Sequence, residues 1–181
     1  MERNLTYIAL FAALIAALGL IPKIDLVSGV PITAQSLGVM LCGAILGARR
    51  GFLAVLLFLF LVALGLPLLA GGRGGLGVFV SPTAGYLVGY ALAPYVIGFL
   101  VERWRGQSLA LGVTLCSIAG GIVVMHICGI IGMAVVLDKT LPQAALLALP
   151  FLPGDLVKAV VAGLVTATLA KARPDAVFSR Q

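Results

Sequence analysis

Long apolar runs alternate with short clusters of charge, glycine and proline along this chain. The first run extends from about Leu5 to Ile21 and is broken by Pro22, Lys23 and Asp25. Ser28-Gly29-Val30-Pro31 then reads as an extended loop, because glycine and proline disfavour helix. Further apolar runs cover residues 34–48, 51–66, 84–101, 109–137 and 154–171. Each is long enough, or nearly so, for the roughly 20 residues a membrane-crossing helix needs. The pattern predicts an all-α integral membrane protein of six spans in a single domain over residues 1–181. The second run is short, so its start is expected deep in the bundle. The fifth is long, which predicts a tilt or a break. Residues 141–152 are apolar but hold Pro142 and Pro150, and suggest a short helix near the interface.

Composition agrees. Hydrophobic residues make up 62% of the chain and charged ones 10%, against roughly 25% charged in a soluble domain. That surplus of apolar surface must face lipid. The first run resembles a signal peptide in its charged start, but no small-residue cleavage site follows it, so it reads as the first span.

Charge placement predicts orientation. With the N-terminus inside, Arg3, Arg49, Arg50, Arg103, Arg105, Lys171, Arg173 and Arg180 lie inside, and Lys23, Arg73, Lys139 and Lys158 lie outside. Eight against four follows the positive-inside rule and places both termini in the cytoplasm. It also accounts for the net charge of +6 without nucleic acid. Arg49–Arg50 and Arg103–Arg105 mark tight inner turns, whereas the outer loops are long and rich in glycine and proline. Binding residues concentrate on such loops, which favours capture of a solute from outside. Cys42, Cys116 and Cys128 lie in apolar runs without metal spacing, and the single histidine has no carboxylates near it in sequence, so neither a metal nor a cofactor is expected.

Asp155 and Lys158 carry the strongest site signal. Three residues apart, they share one face at the start of the last span. An Asp suits a helix start, but a lysine in the first turn opposes the macrodipole, so capping explains only half of the pair. Arg73 stands in Gly71-Gly72-Arg73-Gly74-Gly75, where bare backbone can approach a ligand. It reads equally as a solvated loop arginine. Thr33, Gln35, Ser81, Thr83 and Tyr86 either line a cavity or bond their own helix backbone. For Ser36 the latter is expected. His126, deep in the fifth span, is expected to find a partner on a neighbouring helix rather than to relay protons. Ala9, Ala13 and Ala17 form a small-residue stripe, as do Ala12 and Ala16. Spacing alone favours packing inside the bundle.

Several stretches together resemble the BioY family, the biotin-binding S components of energy-coupling factor (ECF) vitamin transporters. They are Val30-Pro31-Ile32-Thr33-Ala34-Gln35-Ser36-Leu37-Gly38-Val39, Gly47-Ala48-Arg49-Arg50-Gly51, Gly65-Leu66-Pro67, Ala70-Gly71-Gly72-Arg73-Gly74-Gly75-Leu76, Ser81-Pro82-Thr83-Ala84-Gly85-Tyr86-Leu87 and Pro150-Phe151-Leu152-Pro153-Gly154-Asp155-Leu156-Val157-Lys158. Ser81 and Ala84 depart from the glycines expected there, without touching the charged residues. The resemblance implies a six-helix S-component bundle in the cytoplasmic membrane of a prokaryote. It implies a biotin site near the outer face, drawn from Asp155, Lys158, Arg73, Gly72, Gly74, Gln35, Thr83, Tyr86 and Phe79. Asp155 would accept from the ureido N–H groups, and Lys158 and Arg73 would meet the ureido oxygen or the carboxylate. Tyr86 and Phe79 would sandwich the bicycle. The resemblance further implies that Ala9, Ala13 and Ala17 meet the transmembrane coupling subunit, and that two partner ATPases supply the energy, since this chain has no Walker motif. Without that module, copies of the chain would associate with one another. Another vitamin's S component, a proton-coupled carrier using Asp155 and His126, and a membrane-embedded enzyme are the rival readings. The last lacks a nucleophile or metal set.

Overall fold

The computed structural model describes residues 2–180. Among them the regular elements are all helical, with only two isolated β-bridges, Ile24 with Ile32 and Leu69 with Arg73. The helices are α1 (Glu2–Leu18), α2 (Gln35–Leu46), α3 (Ala48–Ala63), α4 (Ala84–Arg103), α5 (Leu109–Ser117), α6 (Met125–Val136), α7 (Leu141–Ala148) and α8 (Leu152–Ala172). Three continuous runs are long and apolar enough to cross a membrane: Ala84–Arg103, Leu109–Val136 and Leu141–Ala172. Helices satisfy their own backbone groups, which is what lipid demands. The outer surface is correspondingly apolar, with Val88 and Leu92 on α4, Ile127 and Ile131 on α6, and Val160 and Leu164 on α8 exposed.

Helix α4 is the central post, packed by α2, α3 and α6. Its glycines permit this. A methyl group on Gly98 would lie 2.2 Å from the Ala48 nitrogen, and one on Gly85 2.8 Å from the Gly132 Cα. Gly43 of α2 lies equally close against Pro94. Backbones meet where side chains are absent, the usual basis of close packing between membrane helices. Phe58, Ile15, Met40, Ile97, Met125 and Met133 fill the core completely.

The structure differs from the sequence reading in three places. Arg49 and Arg50 do not form the turn. Gly47, at φ +83°, makes it alone, and both arginines lie in the first turn of α3. The carboxylate of Glu102 accepts from the Ala48 N–H at 2.8 Å, so α3 starts under a negative cap that offsets the arginines. Second, the long fifth run carries a π-helical stretch, Ile118–Val124, where Gly120 and Gly121 press against α4 and Met40. Third, the alanine stripe divides. Ala12 is buried within the bundle, but Ala9, Ala13 and Ala17 stand exposed on the far face of α1.

At the arginine-rich end, the last turns close the base of the bundle. Phe178 lies between the guanidiniums of Arg3 and Arg50, at 4.9 and 4.6 Å, with Tyr7 edge-on. The Arg180 guanidinium donates to the carbonyls of Val101 and Trp104. At the opposite end two loops, residues 19–34 and 64–83, gather over the starts of α2, α4 and α8.

Candidate functional site

Beneath those two loops lies a cavity whose wall draws on both loops and on α2, α4, α6 and α8. Val30, Pro31, Leu69, Leu87, Met125 and Phe151 make it apolar; Thr33, Gln35, Ser36, Arg73, Thr83, Tyr86, Tyr90, Asp155 and Lys158 supply its polar groups. A mostly apolar hollow with a few convergent polar groups is the usual form of a small-molecule site.

The charged pair is its centre. Lys158 Nζ donates to Asp155 Oδ1 at 2.9 Å along one face of α8. The same ammonium donates to Ser36 Oγ at 2.9 Å, and that hydroxyl donates to Asp155 Oδ1 at 3.2 Å. Three side chains from α2 and α8 thus form a closed triangle. Ser36 does not bond its own helix backbone, as the sequence suggested. Its partners lie 119 and 122 residues away, beyond any local signal. Asp155 is only 4% exposed. Two opposite charges and a hydroxyl together relieve a burial that neither ion could bear alone.

Behind Asp155 stands His126. Its Nδ1 meets the Ile122 carbonyl at 3.0 Å; a carbonyl only accepts, so Nδ1 carries a proton. Its Nε2 faces Asp155 Oδ2 at 3.7 Å. The histidine therefore leans on a carboxylate of the neighbouring α8, in line with the sequence reading, and also bonds a carbonyl one turn back in its own run. Tyr86 packs against both His126 and Phe151, with ring centroids 5.6 Å apart in each case. Its hydroxyl is buried without a hydrogen-bond partner among the described residues.

Gln35, 1% exposed, holds the roof rather than lying free in it. Its amide nitrogen donates to the carbonyls of Ile15 at 3.1 Å and Leu68 at 3.0 Å, and its oxygen accepts from the Ala70 N–H at 2.9 Å. One side chain therefore ties the end of α1 and the 64–83 loop to the start of α2. Gln35→Leu is expected to lower stability by about 2–3 kcal/mol, since it strands a buried N–H and two carbonyls. Thermal unfolding in detergent checks this. An unchanged midpoint would show that the clasp contributes nothing.

Arg73 reaches the cavity from the second loop. Its Nε touches the Ala70 carbonyl at 3.4 Å, its one side-chain hydrogen bond among the described residues. Thr83 also lines the wall, but its hydroxyl shares a 2.7 Å bond with that of Ser81, which in turn reaches the Val78 carbonyl. Three expected residues stand elsewhere. Gly72 is exposed on the loop. Gly74 lies against the Leu66 carbonyl, where a Cβ would be 2.2 Å away. Phe79 lines an apolar surface groove with Ala84, Gly85, Val88 and Cys128. Loop glycines give no phase by which sequence could tell inward from outward, and Phe79 sits in a short 3₁₀ segment, Leu76–Val80, that turns it away. The sequence reading missed Tyr90, Met125, Phe151 and Leu69. The first three belong to apolar helical runs, where cavity lining and core are indistinguishable by pattern.

Such a wall suits a ligand with an apolar body, a polar head offering both donors and acceptors, and a second, anionic end. The carboxylate takes N–H donors, the ammonium takes an oxygen, and the guanidinium on the loop takes a carboxylate.

Comparison with known proteins bears on this arrangement. The model of the BioY family matches residues 2–175. A protein of Rhodobacter capsulatus described as biotin transporter BioY is 55% identical, covering 99% of this chain and 100% of its own. One of Bacillus subtilis described as probable biotin transporter BioY is 43% identical over 93% and 91%. A crystal structure described as the S-component for biotin from an ECF-type ABC transporter superposes with a TM-score of 0.89 at 32% identity, covering 94% of this chain and 92% of that one.

Proposed function

Because the chain belongs to the BioY family, we propose that it captures biotin and brings it into the cell, as the substrate-binding subunit of an ECF-type transporter. It is a transporter component and not an enzyme. The observation that carries the reading is the Ser36–Asp155–Lys158 triangle in the cavity wall, with Arg73 above it. Asp155 accepts from the ureido N–H groups, and Lys158 donates to the ureido oxygen. Arg73 meets the valerate carboxylate and draws the loop shut over it. Tyr86, Phe151 and Leu87 hold the bicycle and chain. Tyr86's unpaired hydroxyl adds one more donor for the ligand.

The chain acts as one membrane unit of six spans with both termini in the cytoplasm, in the inner membrane of a prokaryote. This orientation is supported by the eight basic residues assigned to one side. It puts the cavity on the outer face, where a scarce solute arrives. The exposed alanines Ala9, Ala13 and Ala17 offer a flat surface to the coupling subunit. ATP is hydrolysed by two partner subunits, and this chain needs no cofactor of its own. In their absence, copies of the chain associate.

Isothermal titration of the purified chain in detergent tests the reading. Wild type is expected to bind biotin near one to one, and Lys158→Ala to lose at least about 100-fold in affinity, close to 2.7 kcal/mol. Absence of biotin binding in a folded preparation, with binding of another vitamin from a competition panel, would replace biotin by that vitamin.

A further inference from the structure

At the arginine-rich end, on the outer side of the bundle, α3 and α4 leave a notch lined by Leu46, Arg49, Arg50, Tyr95, Phe99 and Arg103. It lies at the opposite end from the biotin cavity. Three arginines line it, Arg50 with its guanidinium also stacked over the Phe178 ring at 4.6 Å, and among the described residues none is paired with a carboxylate. Glu102 also borders the notch, but its Oε1 is held by the Ala48 N–H at 2.8 Å as the cap of α3. Arg103 lies flat over the Phe99 ring at 3.5 Å and donates from Nη1 to the Phe99 carbonyl at 3.2 Å, which fixes its guanidinium at the mouth. Arg49 is exposed beside it.

The floor is not that of a soluble-anion site. Tyr95 is 46% exposed and Phe99 40%, although both lie on an apolar helix. With Phe52 they form a ladder of rings, 6.3 Å from Phe52 to Tyr95 and 6.5 Å from Tyr95 to Phe99. Tyr95 lies eight residues before Arg103, so the ladder descends about 12 Å from the charges toward the hydrocarbon. A cationic rim above an aromatic slope matches a molecule with an anionic head and an apolar tail. Basic pockets between membrane helices on the cytoplasmic side take such headgroups.

We propose that this notch seats one anionic phospholipid, its phosphate between Arg49, Arg50 and Arg103 and an acyl chain along Phe99 and Tyr95. The lipid's single negative charge offsets part of the positive charge of the three arginines and bridges the start of α3 and the end of α4 at the base of the bundle. The site is independent of the biotin reading, since it shares no residue with that cavity.

Thermal unfolding of the full chain in detergent, with added dioleoylphosphatidylglycerol, tests the proposal. Phosphatidylglycerol is expected to raise the midpoint by about 3–6 °C over dioleoylphosphatidylcholine at equal concentration. The Arg49→Gln/Arg103→Gln double variant is expected to lose most of that difference while unfolding normally in phosphatidylcholine. Should the double variant not fold, Arg49→Gln alone is expected to lose about half. Equal stabilisation by phosphatidylcholine, or a full shift retained in the variants, would overturn the site. Glycerol 3-phosphate matching the lipid would make it a soluble-anion site and overturn the lipid assignment. A shift from hexaglutamate peptide but not from phosphatidylglycerol would do the same in favour of an acidic protein segment.

Discussion

Asp155→Asn is expected to weaken biotin binding at least about 100-fold, and Asp155→Ala to destabilise the chain by about 3–5 kcal/mol in addition. Both effects follow from one geometry. Asp155 Oδ1 accepts from both Lys158 and Ser36, and the residue is nearly inaccessible. Asparagine keeps the volume and one acceptor, so the bundle survives. On the proposed pose it also brings an N–H₂ toward the ureido N–H groups, donor to donor, and it leaves the Lys158 ammonium without a counter-charge. Alanine removes the acceptor as well, and a part-buried cation is then bonded only to a hydroxyl. Titration reads the first effect and thermal unfolding the second. Asparagine that binds biotin as tightly as wild type would remove Asp155 from the ligand contacts. Alanine that melts with wild type would mean that Lys158 snorkels to water at no cost.

Helix boundaries were legible because lipid tolerates charge only at helix ends, so Lys, Arg, Asp and Glu act as punctuation in a chain this apolar. The rule slipped by a few residues at Arg49–Arg50, where one glycine suffices for the turn and a distant carboxylate, Glu102, caps the next helix. Length alone predicts a tilt or a break in the fifth run, which instead stays continuous through a π-helical stretch that depends on Gly120 and Gly121 finding α4 and Met40. Asp155 and Lys158 were visible because their spacing is local and a first-turn lysine is electrostatically out of place. Ser36 was not, since an identical serine bonding its own helix leaves the same trace in sequence. Gln35 was placed in the cavity wall, yet its amide is occupied by three backbone groups that come together only after the loops close. Aromatic residues were the hardest to assign. Tyr86 and Phe151 face inward and Phe79 outward, and nothing in an apolar run distinguishes those fates.

The double variant Asp155→Asn/Lys158→Met separates the two roles of the charged pair. Each single neutralisation strands one ion: Lys158→Met leaves a buried carboxylate with only Ser36 donating to it and His126 at 3.7 Å. That single change is expected to cost about 3–5 kcal/mol. Removing both charges eliminates the uncompensated ion, and a methionine of similar length fills the space that the lysine stem occupied. Replacing a buried ion pair by well-packed hydrophobic side chains is often neutral or stabilising by about 1–4 kcal/mol, and the asparagine keeps an acceptor for the Ser36 hydroxyl. The double variant is therefore expected to melt at or above wild type, a coupling of roughly 3 kcal/mol or more between neighbours in direct contact. Biotin affinity is expected to stay lost, because neither the carboxylate proposed to take the ureido N–H groups nor the cation proposed for its oxygen returns. Recovered stability without recovered binding identifies the pair as a ligand site that the fold tolerates. Recovery of both would assign biotin recognition to Arg73 and the aromatic walls, and persistent instability would make the pair, through Ser36, a structural link between α8 and α2.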